Sequence, residues 1–342
     1  MNQPKESYFE LLSKSFAQPS EDQQHQLSVA GLIEDGTALG LSVLAGKKGV
    51  RNAITSNKIQ KPGLALAGYL DYLESGRVQV IGRGEVAFLN QLGQTLEQAV
   101  VPLMESGIAC MVVTRDQIPP RRFLDLADQF AVPVLSSPLA GGDLVEGLIS
   151  VLDKRISPTL HFHGNLIAVY GMGVLVLGRS GVGKSEVALD LVMRGHQLVA
   201  DDIVMVRRTA NAQLIGSCDE LIRDHMEIRG LGIINVKDLF SITAAANEHV
   251  VDFAIYLERW DPNHDYQMLG LDVEEVEVLG VRVPIIHLPV APGRNITNLI
   301  EVAARDQLLK RMGHHTGREF SKKLERRLKE RRERNKARNE ES

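Results

Sequence analysis

Hydrophobic and polar positions follow two patterns along this chain: short apolar runs, and longer segments in which apolar residues recur at helical spacing. The apolar runs at 78–82 and 109–114 predict buried strands, and so does the run at 132–135. Segment 122–130 between the last two has the spacing of an amphipathic helix. Because strands that alternate with helices are typical of layered α/β structures, we predict an α/β fold.

A break in this pattern predicts two domains. An amphipathic helix predicted at 143–153 is followed by Ile156-Ser157-Pro158, and a proline disfavours helical conformation in the residue before it. We therefore expect a smaller N-terminal α/β domain at 1–145, a linker at 146–160 and a C-terminal domain at 161–318. The N-terminal half contains no nucleotide-binding motif, so its ligand is unknown from the sequence.

The remaining tail, 319–342, is dense in charge and has helical propensity. Its basic residues outnumber its acidic ones, with glutamates such as Glu325 and Glu330 between them. Two interpretations stay open, a solvated helix and a docking arm for an acidic partner.

Composition narrows the possible functions. The chain has 342 residues, of which 44% are hydrophobic and 24% charged, so it has enough apolar material for a folded core. A net charge of −4 argues against a nucleic-acid binder that depends on whole-chain positive charge. Cys110 and Cys218 are far apart, so we expect neither a disulfide framework nor a metal site from them, and interpret both as buried residues of a cytosolic protein.

The most apolar stretch, 166–177, is interrupted by polar and glycine residues and is too short to cross a bilayer. The first residues contain no apolar core after a basic start, so no secretory signal is expected. We therefore predict a cytoplasmic globular protein without a membrane segment.

One segment carries a phosphate-binding motif. The pattern G-x-x-x-x-G-K-[ST] is matched in full by Gly178, Arg179, Ser180, Gly181, Val182, Gly183, Lys184 and Ser185. A predicted strand at 174–177 precedes it and a predicted helix at 186–192 follows it, which is the context the motif requires. Glycines allow backbone N–H groups to turn towards phosphate oxygens, and the helix N-terminus attracts the same anion. Lys184 is expected to reach the β- and γ-phosphates and Ser185 to ligate Mg²⁺, which predicts a Mg²⁺-ATP site.

Two carboxylates follow the next predicted strand, 197–200. A right-handed crossover would return this strand parallel to its neighbour, so Asp201 and Asp202 should lie at the same sheet edge as the glycine loop. Adjacent side chains point to opposite faces, so we expect one carboxylate near the metal or in a structural role and the other as proton acceptor. Neighbouring negative charge should raise the pKa of the accepting carboxylate. An ordinary aspartate-rich turn is the alternative.

Together with flanking segments, these residues resemble the HPr kinase/phosphorylase family, bacterial enzymes that phosphorylate a seryl hydroxyl of the phosphocarrier HPr. The resemblance includes His163-Gly164, the glycine loop, 194–202 and, in the N-terminal half, 61–68 and 80–83. The family's signature is matched by Met226, Glu227, Ile228, Arg229, Gly230, Leu231, Gly232, Ile233, Ile234 and Asn235.

The resemblance implies a phosphate-loop (P-loop) kinase domain with a phosphoenolpyruvate carboxykinase-like fold, preceded by the smaller α/β domain. It implies a Mg²⁺- and ATP-dependent serine kinase, with pyrophosphate as an alternative donor, that also removes phosphate by attack of inorganic phosphate. The expected partner is HPr of the sugar phosphotransferase system, through which carbon metabolism is regulated. The expected assembly is a homo-hexamer, with no nucleic-acid or membrane partner.

The same resemblance assigns roles to individual residues. It implies that His163 and Lys184 act in catalysis, that Asp202 is the proton acceptor, and that Glu227 holds Mg²⁺ together with Ser185. The loop implicated in dephosphorylation is matched by Pro289, Val290, Ala291, Pro292, Gly293 and Arg294.

Two positions depart from the family pattern. Met268 stands where the family has a catalytic arginine, and Ala291 stands where a basic residue is usual. A thioether cannot neutralise a transferring phosphoryl group, and losing such a donor costs about 10²–10³ in rate. A second hypothesis is therefore a nucleotide-binding regulatory or sensor protein with impaired catalysis, and a third is a small-metabolite kinase.

Overall fold

The computed structural model describes residues 16–17, 26–260 and 274–340. These residues form two compact units. The C-terminal unit contains 159–206, 213–260, 274–340 and the short strand at 16–17, and the N-terminal unit contains 26–158 and 207–212. Within the described residues, no helix is both long enough and apolar enough to cross a bilayer.

The strands of the described residues are, in chain order, β1 (Phe16–Ala17), β2 (Leu27–Ser28), β3 (Ser42–Ala45), β4 (Ala53–Ile54), β5 (Ile59–Gln60), β6 (Val78–Ile81), β7 (Cys110–Val113), β8 (Val134–Ser136), β9 (Thr159–Val169), β10 (Met172–Gly178), β11 (Gln197–Ala200), β12 (Ile203–Arg208), β13 (Leu214–Ser217), β14 (His225–Ile228), β15 (Gly232–Asn235), β16 (Glu248–Val250), β17 (Phe253–Arg259), β18 (Glu274–Val278) and β19 (Val281–Val290). The α-helices are α1 (Val29–Asp35), α2 (Gly63–Leu66), α3 (Arg83–Gln91), α4 (Leu96–Glu105), α5 (Arg121–Phe130), α6 (Gly141–Ile156), α7 (Lys184–Met193), α8 (Val236–Leu239), α9 (Ile296–Arg311) and α10 (Thr316–Glu340). Short 3-10 turns lie at Thr37–Leu39, Lys47–Gly49, Gly93–Thr95, Glu220–Ile222 and Ile242–Ala244.

The N-terminal unit is built on a sheet in the order β3-β8-β7-β6-β5. Strands β5 to β8 pair in parallel, and β3 pairs antiparallel with β8. Helix α5 buries Phe123, Leu126 and Ala127 against this sheet, at the three- to four-residue spacing that the sequence shows. The α/β alternation predicted for this half is confirmed, and its strands and helix lie within one or two residues of the predicted bounds.

The C-terminal unit contains a mixed sheet whose main path is β16-β13-β12-β9-β10-β17-β19-β18, with β1 and β11 also paired to β9. Strands β10, β17 and β19 are parallel, so their carboxyl ends meet at one edge. Strand β9 runs antiparallel to β10 and β11, and β18 runs antiparallel to β19. Both units are therefore mixed α/β structures.

One sequence expectation about this sheet is wrong. Strand β11 has the same direction as β10, but it is not its neighbour, because the antiparallel strand β9 lies between them. The parallel neighbour of β10 is β17. The consequence drawn from the expectation still holds, because β10 and β11 share a direction and end at the same edge of the sheet.

Hydrophobic clusters cover both faces of this sheet. On one face Ile167 and Val176 pack against Ala188 and Leu191 of α7 and Ile300 of α9. On the other face the buried side chains come from the sheet itself, among them Phe162, Leu166 and Tyr256. Side chains alternate along a strand, so His163 and Asn165 of β9 belong to the face that carries α7.

Candidate active site

The glycine loop connects the end of β10 to the start of α7. Gly178, Gly181 and Gly183 have φ angles of 151°, 76° and 100°, which L-residues rarely adopt. A Cβ at Gly178 would lie 2.6 Å from the carbonyl oxygen of Leu257 in the neighbouring β17, whereas a Cβ at Gly181 would meet no atom within 4 Å. The glycines therefore allow the chain to turn directly from a buried strand into a helix.

Lys184 is the first residue of this helix. Its Nζ donates a hydrogen bond to the carbonyl oxygen of Gly178, 3.1 Å away. Burial lowers the pKa of its ammonium group, and the negative charges of Asp202, Asp201 and Glu186 oppose that effect. The lysine is thus folded back over the loop, among carboxylates.

Asp201 is the most connected side chain of the site, and it is only 7% exposed. Its Oδ1 accepts hydrogen bonds from Nδ2 of Asn165 and, at 3.2 Å, from the hydroxyl of Ser185. Its Oδ2 accepts the backbone N–H of Glu227 at 3.1 Å. Burial raises the pKa of Asp201, against the effect of the Glu227 and Ser185 hydrogen bonds, and the charge of Asp202 adds a smaller increase.

Asp202 has the opposite environment. Its side chain is 73% exposed, and its φ of 63° places it in the turn after β11 rather than in the strand. Its backbone carbonyl accepts the N–H of Gly164 at 2.9 Å. Its Oδ1 lies 3.6 Å from Nδ1 of His163, longer than a hydrogen bond but close enough for an ion pair when the imidazole is protonated. The two adjacent carboxylates therefore lie in different environments, while their division into a structural group and a proton acceptor stays a prediction. The raised pKa expected for the accepting carboxylate is found at the buried Asp201, and its main cause is burial rather than neighbouring charge.

A cavity of about 300 Å³ brings these groups together. It is lined by Asn165, Ser180, Gly181, Gly183, Lys184, Ser185, Glu186, Leu189, Asp201, Asp202, Glu227, Ile228 and Arg229. Much of the predicted loop and both carboxylates therefore surround one space. The lining does not include Gly178, Arg179, Val182 or His163. The ring of His163 nevertheless lies 3.6 Å from the carboxylate of Asp202, which is a lining residue.

The family signature forms the hairpin β14–β15. Met226 is buried in the cluster under α7, and this anchors the strand that presents Glu227 to the cavity. Gly230 in the connecting turn and Gly232 at the start of β15 have φ angles of 85° and 97°. Of the ten signature residues, Glu227, Ile228 and Arg229 line the cavity.

The oxygen donors of the cavity fit a magnesium ion. In the described part of the chain, no group of three or more His, Cys, Asp or Glu side chains has a metal-binding arrangement. Mg²⁺, however, keeps several waters and is usually bound by one or two protein oxygens together with phosphates. The hydroxyl of Ser185 and the exposed carboxylate of Glu227 are donors of this kind at the cavity wall.

The loop 289–294 is at the same sheet edge but not at the cavity. It begins with the last two residues of β19, Pro289 and Val290, and continues beyond the carboxyl end of that strand, two strands from β10 in the parallel part of the sheet. Its turn is closed by Gly293, with a φ of 80°, and by a 3.1 Å hydrogen bond from the N–H of Arg294 to the carbonyl of Ala291. None of its residues lines the cavity. Met268 lies outside the described residues.

Sequence reasoning missed Asn165. It directly precedes the apolar run 166–169, pairs in register with Val176, and reaches the acidic centre of the site through a buried amide. A polar residue that adjoins such a run is a usable signal where the strand extends over it, because buried polar groups must find partners. Glu186 and Leu189 also line the cavity without having been singled out.

A glycine loop with a lysine, facing carboxylates across one cavity, is typical of proteins that bind nucleotide phosphates and transfer or hydrolyse the terminal phosphoryl group. The family model described as HPr Serine kinase C-terminal domain matches residues 154–324, and the one described as HPr Serine kinase N terminus matches residues 27–152. The chain therefore belongs to the HPr serine kinase family.

Curated relatives agree with this assignment. An HPr kinase/phosphorylase of Geobacter sulfurreducens is 46% identical over 302 residues, 87% of this chain and 94% of the relative. One of Brevibacillus brevis is 43% identical over 285 residues, 83% and 91% of the two chains. The solved Hpr(Ser) kinase/phosphatase of Coxiella burnetii is 38% identical and covers 47% of this chain and 97% of its own, with a TM-score of 0.42.

Proposed function

We propose that this protein is a bifunctional, Mg²⁺- and ATP-dependent serine kinase and phosphorylase that acts on HPr. Family membership supports the reaction, and the names of the relatives support the substrate. The observation that carries the proposal is the pair of unlike carboxylates at one cavity. Asp201 is buried and accepts hydrogen bonds at both carboxylate oxygens, while Asp202 is exposed at the same cavity as Lys184, where a protein hydroxyl can reach it.

The glycine loop and Lys184 bind the nucleotide phosphates in this proposal. Lys184 exchanges its hydrogen bond to Gly178 for phosphate oxygens, and the N-terminus of α7 attracts the same negative charge. Ser185 and Glu227 hold the magnesium ion. When bound, that ion neutralises phosphate charge.

Asp202 handles the proton. In the kinase direction the seryl oxygen bonds to the γ-phosphorus, the bond from that phosphorus to the β–γ bridging oxygen breaks, and Asp202 takes the seryl proton. In the reverse direction an oxygen of inorganic phosphate attacks the phosphoseryl phosphorus, pyrophosphate forms, and the departing seryl oxygen recovers its proton from Asp202. His163, whose Nδ1 lies 3.6 Å from Oδ1 of Asp202, is close enough to help position that carboxylate.

Several finer features belong to the same proposal. They are a P-loop kinase domain of phosphoenolpyruvate carboxykinase-like fold at 161–318, a separate N-terminal domain at 1–145, pyrophosphate as an alternative donor, a role of loop 289–294 in dephosphorylation, a homo-hexamer, and a cytoplasmic place in the control of carbon metabolism.

Transfer of label from γ-³²P-ATP to purified HPr tests the proposal. We expect labelled HPr in the presence of Mg²⁺, no label with an HPr variant whose acceptor serine is alanine, and none with Lys184→Ala enzyme. Addition of inorganic phosphate to labelled HPr should release labelled pyrophosphate. Nucleotide binding without transfer would favour the sensor hypothesis, which the relatives' names do not favour, and label on a metabolite alone would favour a small-molecule kinase.

A further inference from the structure

Asn165 is an unusual residue for its place in the fold. It lies in the middle of β9, in register with Val176 of β10 and next to Leu166, and it is fully buried. A buried amide is destabilising unless its donors and acceptors are paired. Its Nδ2 is paired with Asp201, but its Oδ1 has no hydrogen-bond donor among the described residues.

The orientation of this amide follows from its partner. An ionised carboxylate only accepts hydrogen bonds, so the amide must present its N–H end to Asp201. The same Asp201 oxygen accepts a hydrogen bond from the hydroxyl of Ser185, and the other oxygen accepts one from the backbone N–H of Glu227. Asn165 and Glu227 thus hold the carboxylate from two sides.

This arrangement determines where the Ser185 hydroxyl points. A hydroxyl has one proton and two lone pairs, so a hydroxyl that donates to Asp201 turns its lone pairs away from that carboxylate. Ser185 lines the cavity, so those lone pairs are available to a cation held there. A carboxylate without a fixed position would leave the hydroxyl free to rotate.

We infer that Asn165 is a positioning residue for magnesium–nucleotide binding, which acts by holding Asp201 so that Asp201 orients the Ser185 hydroxyl. This inference rests on the proposed function of the cavity, and it adds a residue outside the glycine loop and the signature. Outer residues that orient a metal ligand typically change metal affinity by about 10- to 100-fold when they are replaced.

The test is the effect of Mg²⁺ on ATP affinity, measured by isothermal titration calorimetry with and without EDTA. Asn165→Leu removes the donor at similar volume. We expect its ATP affinity in EDTA to stay within about twofold of wild type, and the gain in affinity on adding Mg²⁺ to fall about tenfold. Equal losses with and without Mg²⁺ would indicate a merely structural role and would overturn the inference, as would an unchanged gain.

Two further variants sharpen this result. Gln79→Leu removes another fully buried amide with an unpaired oxygen, in the N-terminal unit, and should leave the Mg²⁺ effect unchanged. In a Ser185→Ala background, Asn165→Leu should cause no further loss, because the hydroxyl it positions is already absent. An additional tenfold loss there would overturn the inference.

The outcome also separates this inference from the proposed function. A wild-type protein whose ATP affinity does not respond to Mg²⁺ overturns the positioning role. A wild-type protein that binds Mg²⁺-ATP in this way but never labels HPr overturns the proposed function and leaves the role of Asn165 in binding intact.

Discussion

Gly178 and Gly181 allow the folding role of the glycine loop to be separated from its binding role. Alanine at Gly178 must adopt a φ of 151°, which costs about 1–3 kcal/mol. Its Cβ would also lie 2.6 Å from the Leu257 carbonyl and 3.0 Å from Cγ1 of Val182. Since β10 and β17 are paired core strands, relieving that contact costs about a further 1–3 kcal/mol.

Gly181→Ala is the matched change. Its φ of 76° is in the left-handed region, where an L-residue costs about 1–2 kcal/mol, and the added methyl meets no atom within 4 Å. In a unit of this size each kcal/mol corresponds to about 2–4 °C in Tm. We therefore expect Gly181→Ala to lower Tm by about 2–8 °C, and Gly178→Ala to lower it about two to three times as far.

The affinity for ATP, in contrast to Tm, should be affected most clearly by the change at Gly181. The Gly181 methyl enters open space at the cavity wall, where the phosphate chain is expected, so a folded Gly181→Ala protein should bind ATP at least about tenfold more weakly. Thermal unfolding and titration with a fluorescent ATP analogue, on the same preparations, measure both quantities. A Gly181→Ala protein that binds ATP as tightly as wild type would refute the phosphate role of the loop.

The remaining predictions concern single side chains. Asp202→Asn should abolish transfer in both directions while ATP affinity changes less than about threefold, and transfer to HPr at ordinary rates would exclude Asp202 as the base. Met268→Arg should raise the transfer rate by about 10²–10³, because it restores a cation that can neutralise the transferring phosphoryl group. An unchanged rate would mean that another residue already supplies this positive charge. For Asp201→Asn we compare the free energy of unfolding of the variant with that of wild type, both in EDTA. The difference should shift in favour of the variant as pH rises from 4 to 7. Burial raises the pKa of Asp201 above its value in the unfolded chain, so wild type loses the stability that the protonated carboxyl contributes as pH increases through that raised pKa. A stability difference that is independent of pH in thermal unfolding would contradict this.

Much of the fold could be predicted because local patterns are sufficient for it. The strand at 197–200 and the helix break at Ile156 come from apolar spacing and from a proline, and the structure has both at the expected residues. Helix α10 likewise confirms the helical propensity of the tail, since helical spacing and charge density are local properties. Whether that helix docks on a partner stays a prediction.

Strand order could not be predicted in the same way. The pattern of β9 is that of any buried strand, and nothing in it shows that this strand inserts between β10 and β11. The rule for right-handed crossovers gives direction, but adjacency depends on which strands bury the most apolar area together. The position of β9 nevertheless has a consequence for the site, because it brings His163 next to Asp202 and Asn165 next to Asp201.

The different environments of Asp201 and Asp202 also depend on the position of β9 between β10 and β11. Adjacent aspartates at a strand end are equivalent in the sequence, and alternation alone predicts only that they differ. Asn165, which lies on β9, and the N–H of Glu227, which lies on β14, make the burial of Asp201 tolerable by supplying donors to its charged oxygens. Asp202 meets neither donor, so it stays in the exposed turn beside His163, where a partner's hydroxyl can approach it. In the proposed mechanism the base is therefore Asp202, the carboxylate to which neither Asn165 nor the N–H of Glu227 donates, and this difference depends on residues that are distant along the chain.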